Sequence, residues 1–175
     1  MENYRYRVGT GFMSTSFLLL ELTKAGAAEA AYRVLLDTEK PGWLYEVMQG
    51  ATTVWETWEG YVGKGAVDKG DAGSLNHYSP GAVCQWLFDT CAGIQVAGEN
   101  HFIIAPIPGG ELTHAGARYH SIYGEVSSRW KRTENGYKFM VTIPANCTAE
   151  VRLPDTEAVR VTSGIYEYDI VKKMK

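Results

Sequence analysis

The spacing of apolar residues changes near residue 95, and this change limits the possible folds more than any other feature of the chain. Up to that point the apolar residues recur at helical spacing, and the first predicted helix runs from Phe12 to Ala25, with Gly26 as its stop. From residue 100 onwards apolar and polar residues alternate, which is typical of half-buried β-strands. The sequence therefore predicts an α+β fold, with a helical domain at residues 1–95 and a small antiparallel β-sandwich at residues 96–175.

The helical half is predicted to contain four helices. The first is apolar on more than one side, which indicates burial against several neighbours. The other three are predicted at Ala27 to Leu36, at Trp43 to Met48, and from Ser79 as N-cap to Gly93. The tight connection at Gly26 predicts that the first two helices form a hairpin. The glycine-rich segment from Gly60 to Tyr78 is predicted to be a long surface loop, and loops of that length are usually functional or disordered.

The second half is predicted to contain short strands separated by turn residues. Six are expected: Phe102 to Ile104, Ala117 to Tyr119, Gly124 to Trp130, Tyr137 to Ile143, Ala149 to Leu153 and Gly164 to Ile170. Asn135-Gly136 is the clearest hairpin signal, because this pair accepts the positive φ angles of a type I′ turn. Tyr166 and Tyr168 would share one face of the last strand, where packing is the expected role.

Composition excludes several classes of function. The 175 residues are 45% hydrophobic, which is enough for a core. With 17 Lys+Arg against 20 Asp+Glu and a net charge of -3, the chain has no basic stripe for a nucleic acid partner. The longest apolar run, Phe17 to Leu20, is too short to span a membrane. The sequence also lacks the regions of a signal peptide near Met1, so a cytoplasmic location is expected.

The three cysteines, Cys84, Cys91 and Cys147, are odd in number and include no CxxC pair. The first two lie on one predicted helix, about 10 Å apart along its axis, which is too far for a disulfide. We therefore expect reduced, mostly buried thiols, with neither a metal site nor a cofactor.

Two short segments carry the side chains best suited to chemistry. One sets Glu56 between Trp55 and Trp58, and the other places His77 just before a predicted helix. A carboxyl group beside large apolar rings exchanges protons closer to neutral pH, and aromatic faces fit the apolar faces of sugars. In an extended backbone Glu56 and Trp58 would face one side and Trp55 the other. The pattern suggests half of a sugar-cleaving site, and its alternative is an ordinary half-buried turn with the tryptophans in a core.

Six segments together form a recognisable pattern. They are Val8 to Phe12, Gly50 to Trp58, Ser74 to Tyr78, His101 to Pro106, Ser121 to Gly124 and Ser128 to Trp130. This pattern resembles the C-terminal end of the bacterial alpha-L-rhamnosidases, glycoside hydrolase family 78, over most of the chain. The resemblance implies an (α/α)6 barrel followed by a β-sandwich, so that residues 1–95 would be the last, incomplete part of the barrel.

The resemblance also implies a reaction and a partner. Such enzymes hydrolyse terminal alpha-L-rhamnose with inversion at the anomeric carbon, so the expected partner is a rhamnose-containing glycoside. Glu56 would be the general base and take a proton from the attacking water. His77 would hydrogen-bond a rhamnose hydroxyl, and Trp55 or Trp58 would line the pocket. Inversion needs a second, protonated carboxyl group roughly 6.5 to 9.5 Å from the base.

That second carboxyl group is expected to be missing. In the family the general acid lies on earlier barrel helices, and the spare acids here match no acid motif: Glu21, Glu46, Glu59, Asp68 and Asp71. We therefore expect a truncated chain that hydrolyses almost nothing by itself. Helix faces that normally pack on missing neighbours predict either self-association, with Phe12 to Leu22 as the contact, or a mobile N-terminus.

Two alternatives stay open. The chain is either a rhamnosidase fragment or a noncatalytic carbohydrate-binding module that binds through Trp130 of the sandwich, although alternation predicts a buried Trp130. A purely structural protein, in which Glu56 and His77 have no chemistry, is the third hypothesis. Side chains of Glu56 and His77 that open into one cleft beside Trp58 would favour the site over that third hypothesis.

Overall fold

The computed structural model describes residues 5–58 and 73–171 of the chain. The chain divides into two compact units, Met1–Cys84 and Gln85–Lys175. The first unit is helical and the second holds the β-sheets, in agreement with the change of hydrophobic period in the sequence. Most of the predicted loop from Gly60 to Tyr78 lies outside the described residues.

The described helices are short. They are α1 Phe12–Thr15, α2 Leu18–Lys24, α3 Ala28–Leu36, α4 Trp43–Met48, α5 Tyr78–Gly81 and α6 Val83–Trp86, and a π-helical turn, Leu87–Cys91, follows the last of them. None of the described helices has the length and hydrophobicity of a membrane-spanning segment.

The predicted single helix from Phe12 to Ala25 is wrong in one respect, because it breaks between α1 and α2. Thr15 Oγ1 donates to the carbonyl oxygen of Gly11 at 3.0 Å, and Ser16 Oγ donates to that of Ser79 at 3.1 Å. Hydroxyl groups that bond to backbone carbonyls compete with the helical pattern and bend or end a helix. The predicted stop at Gly26 is present, with a φ of 78° that suits glycine.

The helical hairpin is confirmed, because α2 packs against α3. Helix α3 buries Tyr32 and Val34 completely, and α4 has the predicted bounds. Trp43, the first residue of α4, is buried and its indole Nε1–H donates to the carbonyl oxygen of Pro80 at 2.9 Å. This hydrogen bond ties α4 to the start of α5.

The predicted helix from Ser79 to Gly93 is divided into α5, α6 and the π-helical turn. Its N-cap is His77 rather than Ser79, because the imidazole Nδ1 accepts the Ser79 N–H at 3.2 Å. The turn ends at Cys91, two residues before the predicted end at Gly93, and Gly93 has a φ of 83°. A Cβ at Gly93 would lie 2.1 Å from Pro106 N, so no other residue fits this close approach.

The second unit holds eight strands: β1 Ile94–Val96, β2 His101–Ile104, β3 His114–Ser121, β4 Gly124–Arg132, β5 Gly136–Ile143, β6 Thr148–Val151, β7 Val159–Val161 and β8 Gly164–Val171. They form two four-stranded sheets in the orders β1-β2-β6-β7 and β3-β4-β5-β8. The prediction of helices followed by a β-sandwich is confirmed. One pair, β2 with β6, is parallel, and the other pairs are antiparallel.

The core of the sandwich lies between apolar faces of these strands, which include Phe102, Phe139 and Val141. Trp130 is 2% exposed, and its Nε1–H donates to the carbonyl oxygen of Cys91 at 2.8 Å. This burial confirms the core role that alternation predicts for Trp130. Cys91 and Cys147 are free and buried, whereas Cys84 is exposed.

Strand pairing agrees with the predicted turns and faces. The Asn135-Gly136 hairpin is confirmed, since β4 and β5 pair from Arg132 with Tyr137 onwards, although neither residue of the pair has the positive φ of a type I′ turn. In β8, Tyr166 pairs with Val141 and Tyr168 with Phe139, so both tyrosines lie on the core face.

Candidate functional site

The two segments singled out in the sequence lie side by side. The backbone N–H of Glu56 donates to the Ser74 carbonyl oxygen at 2.8 Å, and that of His77 donates to the Val54 carbonyl oxygen at 2.9 Å. In addition, the Ser74 N–H donates to the carboxylate Oε2 of Glu56 at 2.6 Å. The Glu56 side chain is therefore held by backbone from the segment that leads to His77.

Gly73 makes this arrangement possible. A Cβ built at this position would lie 2.6 Å from Glu56 Oε2, closer than real Cβ contacts allow. The glycine is needed here for the close approach of a side chain, because any substituent would push the carboxylate away from the Ser74 N–H. The hydrogen bond from the Ser74 N–H, which the small size of Gly73 allows, holds one carboxylate oxygen of Glu56 in place.

Glu56 opens into a cleft of about 320 Å³. The lining residues are Phe12, Lys40, Pro41, Glu56, Thr57 and Trp58. The Trp58 ring packs edge-on against Trp43, with 5.6 Å between ring centroids, and this contact fixes its orientation. A carboxylate, a cation and two aromatic rings around one small cleft suit a ligand with both hydroxyl groups and apolar faces.

His77 lies beside this cleft rather than in its lining. Its ring contacts the rings of Phe12 and Tyr78, with centroid separations of 5.1 and 4.9 Å, and Phe12 also lines the cleft. Because Nδ1 accepts the Ser79 N–H, the neutral ring carries its proton on Nε2. The imidazole is thus oriented by the helix N-terminus and keeps one N–H for another partner.

The two tryptophans have different environments. Trp58 is half-buried and lines the cleft with Glu56, whereas Trp55 is 3% exposed and is not part of that lining. The expected alternation of an extended segment is not the reason, because the backbone bends at Glu56 and Thr57 and Thr57 lines the cleft together with its two neighbours. Of the two, Trp58 is the one placed to meet a ligand in this cleft.

Sequence reasoning missed Glu46, which it treated only as a spare acid. Glu46 is 2% exposed, its Oε2 accepts the backbone N–H of Trp55 at 3.1 Å, and its Oε1 is buried without a hydrogen-bond partner among the described residues. Burial raises the pKa of this carboxyl group to about 7, and the Trp55 hydrogen bond opposes that rise. The signal in the sequence for its burial was its position three residues after Trp43, which places the two side chains on the same face of α4.

The other spare acids are less suited to a catalytic role. Glu21 is exposed and pairs with Lys24 at 2.6 Å, while Glu59, Asp68 and Asp71 lie outside the described residues. Within residues 5–58 and 73–171 no three His, Cys, Asp or Glu side chains are grouped to hold a metal ion. Glu56 is therefore the acid best placed for chemistry in the described cleft.

Comparison with family models explains the two units. Residues 1–91 match the model described as the bacterial alpha-L-rhamnosidase 6 hairpin glycosidase domain, so the helical unit is part of a six-hairpin glycosidase domain. Residues 94–166 match the bacterial alpha-L-rhamnosidase C-terminal domain. The chain belongs to the bacterial alpha-L-rhamnosidase family.

Individual relatives agree with this assignment. The alpha-L-rhamnosidase of Streptomyces avermitilis is 38% identical over 92% of this chain, and one from Formosa agariphila is 36% identical over 87%. The solved structure of native alpha-L-rhamnosidase from Aspergillus terreus covers 98% of the chain with a TM-score of 0.88 and 37% identity. That of the Streptomyces avermitilis enzyme complexed with L-rhamnose covers 95% with a TM-score of 0.84 and 33% identity.

The chain spans only a small part of these proteins. It covers 16% and 17% of the two curated relatives, and 21% and 18% of the two solved structures. The matched part comprises some of the glycosidase domain and the C-terminal domain that follows it.

Proposed function

We propose that this chain carries the general-base half of an inverting alpha-L-rhamnosidase site, with Glu56 as the base. The observation that supports this most strongly is the fixed Glu56 carboxylate, which accepts the Ser74 N–H at 2.6 Å at the edge of an aromatic cleft. Membership of the rhamnosidase family supplies the substrate class, and the Streptomyces avermitilis relative was solved with L-rhamnose.

The geometry suits a base that acts through water. Oε2 of Glu56 is occupied by the Ser74 N–H, and among the described residues Oε1 has no hydrogen-bond donor. Oε1 can therefore accept a proton from a water molecule in the cleft as that water attacks the anomeric carbon. The second carboxyl group that protonates the leaving oxygen would be supplied by another part of the glycosidase domain.

The remaining side chains would hold the sugar. Trp58 offers an aromatic face beside Glu56, and His77 offers its Nε2–H to a hydroxyl group next to Phe12. Trp55, which is buried, would support the site by packing. With these separate roles, the aromatic contact would position the sugar ring and the hydrogen bonds would select the pattern of its hydroxyl groups.

The proposal is tested by Glu56→Gln in the polypeptide that joins this chain to the rest of the barrel. The amide keeps the size of the side chain and still accepts the Ser74 N–H, but it cannot take a proton. Turnover of 4-nitrophenyl alpha-L-rhamnoside should fall by about 10²–10⁴-fold with little change in folding stability. Glu29→Gln is the matched control, because Glu29 lies on the exposed side of α3 and should leave turnover unchanged.

Two further readouts complete this test. Proton NMR of the first product formed by the unmodified enzyme should detect the β-anomer of L-rhamnose, as inversion requires. The 175-residue chain alone should not hydrolyse the aryl rhamnoside. Appearance of the α-anomer first would reject inversion, and turnover by the isolated chain would mean that a general acid is already present in it.

A further inference from the structure

The outer face of the β3-β4-β5-β8 sheet carries a cationic groove that the proposed reaction does not use. In β4 and β5 the core-facing Trp130 and Phe139 are 2% and 1% exposed, and their neighbours along each strand point to the opposite face. A groove of about 700 Å³ runs over β3, β4 and β5 on that face. Its basic lining residues are His114, Arg118, Arg129, Lys131 and Lys138.

The strand register aligns these basic side chains in rows. His114 pairs with Lys131, and Lys131 pairs in turn with Lys138. Neighbouring strands lie about 4.8 Å apart, so the three basic side chains stand in close sequence across the sheet. Lys131 and Lys138 are like charges directly opposite each other, which destabilises a sheet. Asp169 pairs with Lys138 on the far side of this row, and an anion beside Lys131 would offset the remaining repulsion.

Carboxylates offset only part of this charge. Glu167 lies 3.0 Å from Lys138 Nζ, and Glu125 lies 3.9 Å from Arg118. Within residues 5–58 and 73–171, Arg129 and Lys131 have no carboxylate within 4.0 Å. The two central cations of the groove are therefore the ones available to an external anion.

The floor of the groove is shaped by Gly116, which pairs with Arg129. A Cβ at Gly116 would lie 2.7 Å from Arg129 Cγ and 3.0 Å from the Ser128 carbonyl oxygen. A glycine inside a strand often marks the close approach of a ligand or another group. Here it leaves room for the aliphatic stem of Arg129, a lining residue of the groove, against the backbone of β3.

We infer that this groove binds an anionic polysaccharide, a chain of sugars that carry carboxylate or sulfate groups. The guanidinium group of Arg129 suits either group because it forms two parallel hydrogen bonds. Stacking of nucleic acid bases is disfavoured, since the aromatic rings nearest the groove, Trp130 and Phe139, are buried on the other face. The choice of a glycan among polyanions rests on the proposed function of the chain as part of a glycosidase.

Binding is tested on the 175-residue chain itself by affinity electrophoresis and calorimetry. The probes are polygalacturonate for carboxylates, dextran sulfate for sulfates, neutral dextran, and single-stranded DNA. The chain should bind one or both acidic polysaccharides but not dextran. Binding should weaken as salt is raised from 50 to 300 mM, which shortens the screening length about 2.4-fold. The acidic polysaccharide bound more tightly identifies the preferred group.

The decisive variant is the double substitution R129Q/K131Q, which should weaken that binding about tenfold. Its thermal midpoint should not fall, because the change relieves repulsion within the row. The matched control is K24Q/R33Q, which removes the same charge from exposed positions on α2 and α3 and should leave binding unchanged.

Several results would overturn the inference. They are equal loss of binding in both double variants, equal binding of dextran, and tighter binding of DNA than of either acidic glycan. Glu56→Gln should leave binding at this groove unchanged, so failure here is distinguishable from failure of the proposed hydrolase function.

Discussion

Replacing Glu46 by Gln should make the chain more stable at alkaline pH. Glu46 is buried, and its Oε1 finds no hydrogen-bond partner among the described residues. The Gln side chain has the same shape, still accepts the Trp55 N–H through its oxygen and carries no charge at any pH. The substitution therefore removes the cost of a buried negative charge while it keeps the contact that holds the segment next to Glu56.

The direction of this stability change follows from the proton binding of Glu46 in the folded and unfolded states. Burial raises the folded-state pKa of Glu46 from 4.5 to about 7, so between these values the folded chain holds a proton that the unfolded chain has lost. Stability from this group is complete below pH 4.5 and is lost as pH rises through 7. A rise from 4.5 to about 7 corresponds to about 3 kcal/mol, which is the expected difference between variant and parent at pH 8.

The assay is urea unfolding of both proteins at pH 4.5, 6, 7 and 8, followed by tryptophan fluorescence. The two free energies of unfolding should be close at pH 4.5 and should diverge between pH 5 and 8, with the variant higher. The exposed control Glu29→Gln should follow the parent at every pH. Parallel curves for Glu46→Gln and the parent, or a variant that is weaker at pH 8, would refute the reasoning.

Three other changes test separate parts of the structure. Gly73→Ala brings a methyl group against Glu56 and should lower kcat of the complete enzyme about 10²-fold with little change in its Tm, as measured by aryl rhamnoside hydrolysis and calorimetry. Phe17 is 59% exposed, and we expect it to mediate self-association, so Phe17→Glu should reduce the mass seen by light scattering at high concentration; an unchanged mass distribution would exclude this contact. Trp130→Phe leaves the Cys91 carbonyl oxygen without its indole donor and should cost about 1–3 kcal/mol in urea unfolding, whereas a cost near zero would mean that water replaces the bond.

The elements with strong periodicity were predictable from the sequence. Helix α4 was bounded by Pro41-Gly42 before it and Gly50 after it, and strand β5 by the Asn135-Gly136 turn. Strands β1 and β7 were missed because three residues are too few to display alternation. The break between α1 and α2 depends on Ser16 bonding to Ser79, a contact distant in sequence that no local pattern reveals.

The residues of the candidate site were predictable from the sequence, but the contacts that hold them in place were not. The sequence pointed to Glu56, Trp58 and His77, whose roles and the domain boundary near residue 95 stay predictions. The hydrogen bond from Ser74 to Glu56 and the close approach of Gly73 depend on how two distant segments align. The burial of Glu46 likewise depends on tertiary packing, because a Glu within a six-residue helix is usually exposed.

The central claim is that Glu56 acts as the base and not as the acid. The most direct test is whether the activity lost in Glu56→Gln depends on the leaving group of the substrate. The measurement is kcat/KM of Glu56→Gln relative to the parent enzyme on 2,4-dinitrophenyl and on phenyl alpha-L-rhamnoside. A base acts on the water, so we predict equal losses on both substrates. An acid acts on the leaving group, and a loss that nearly disappears with the dinitrophenyl substrate would contradict the assignment.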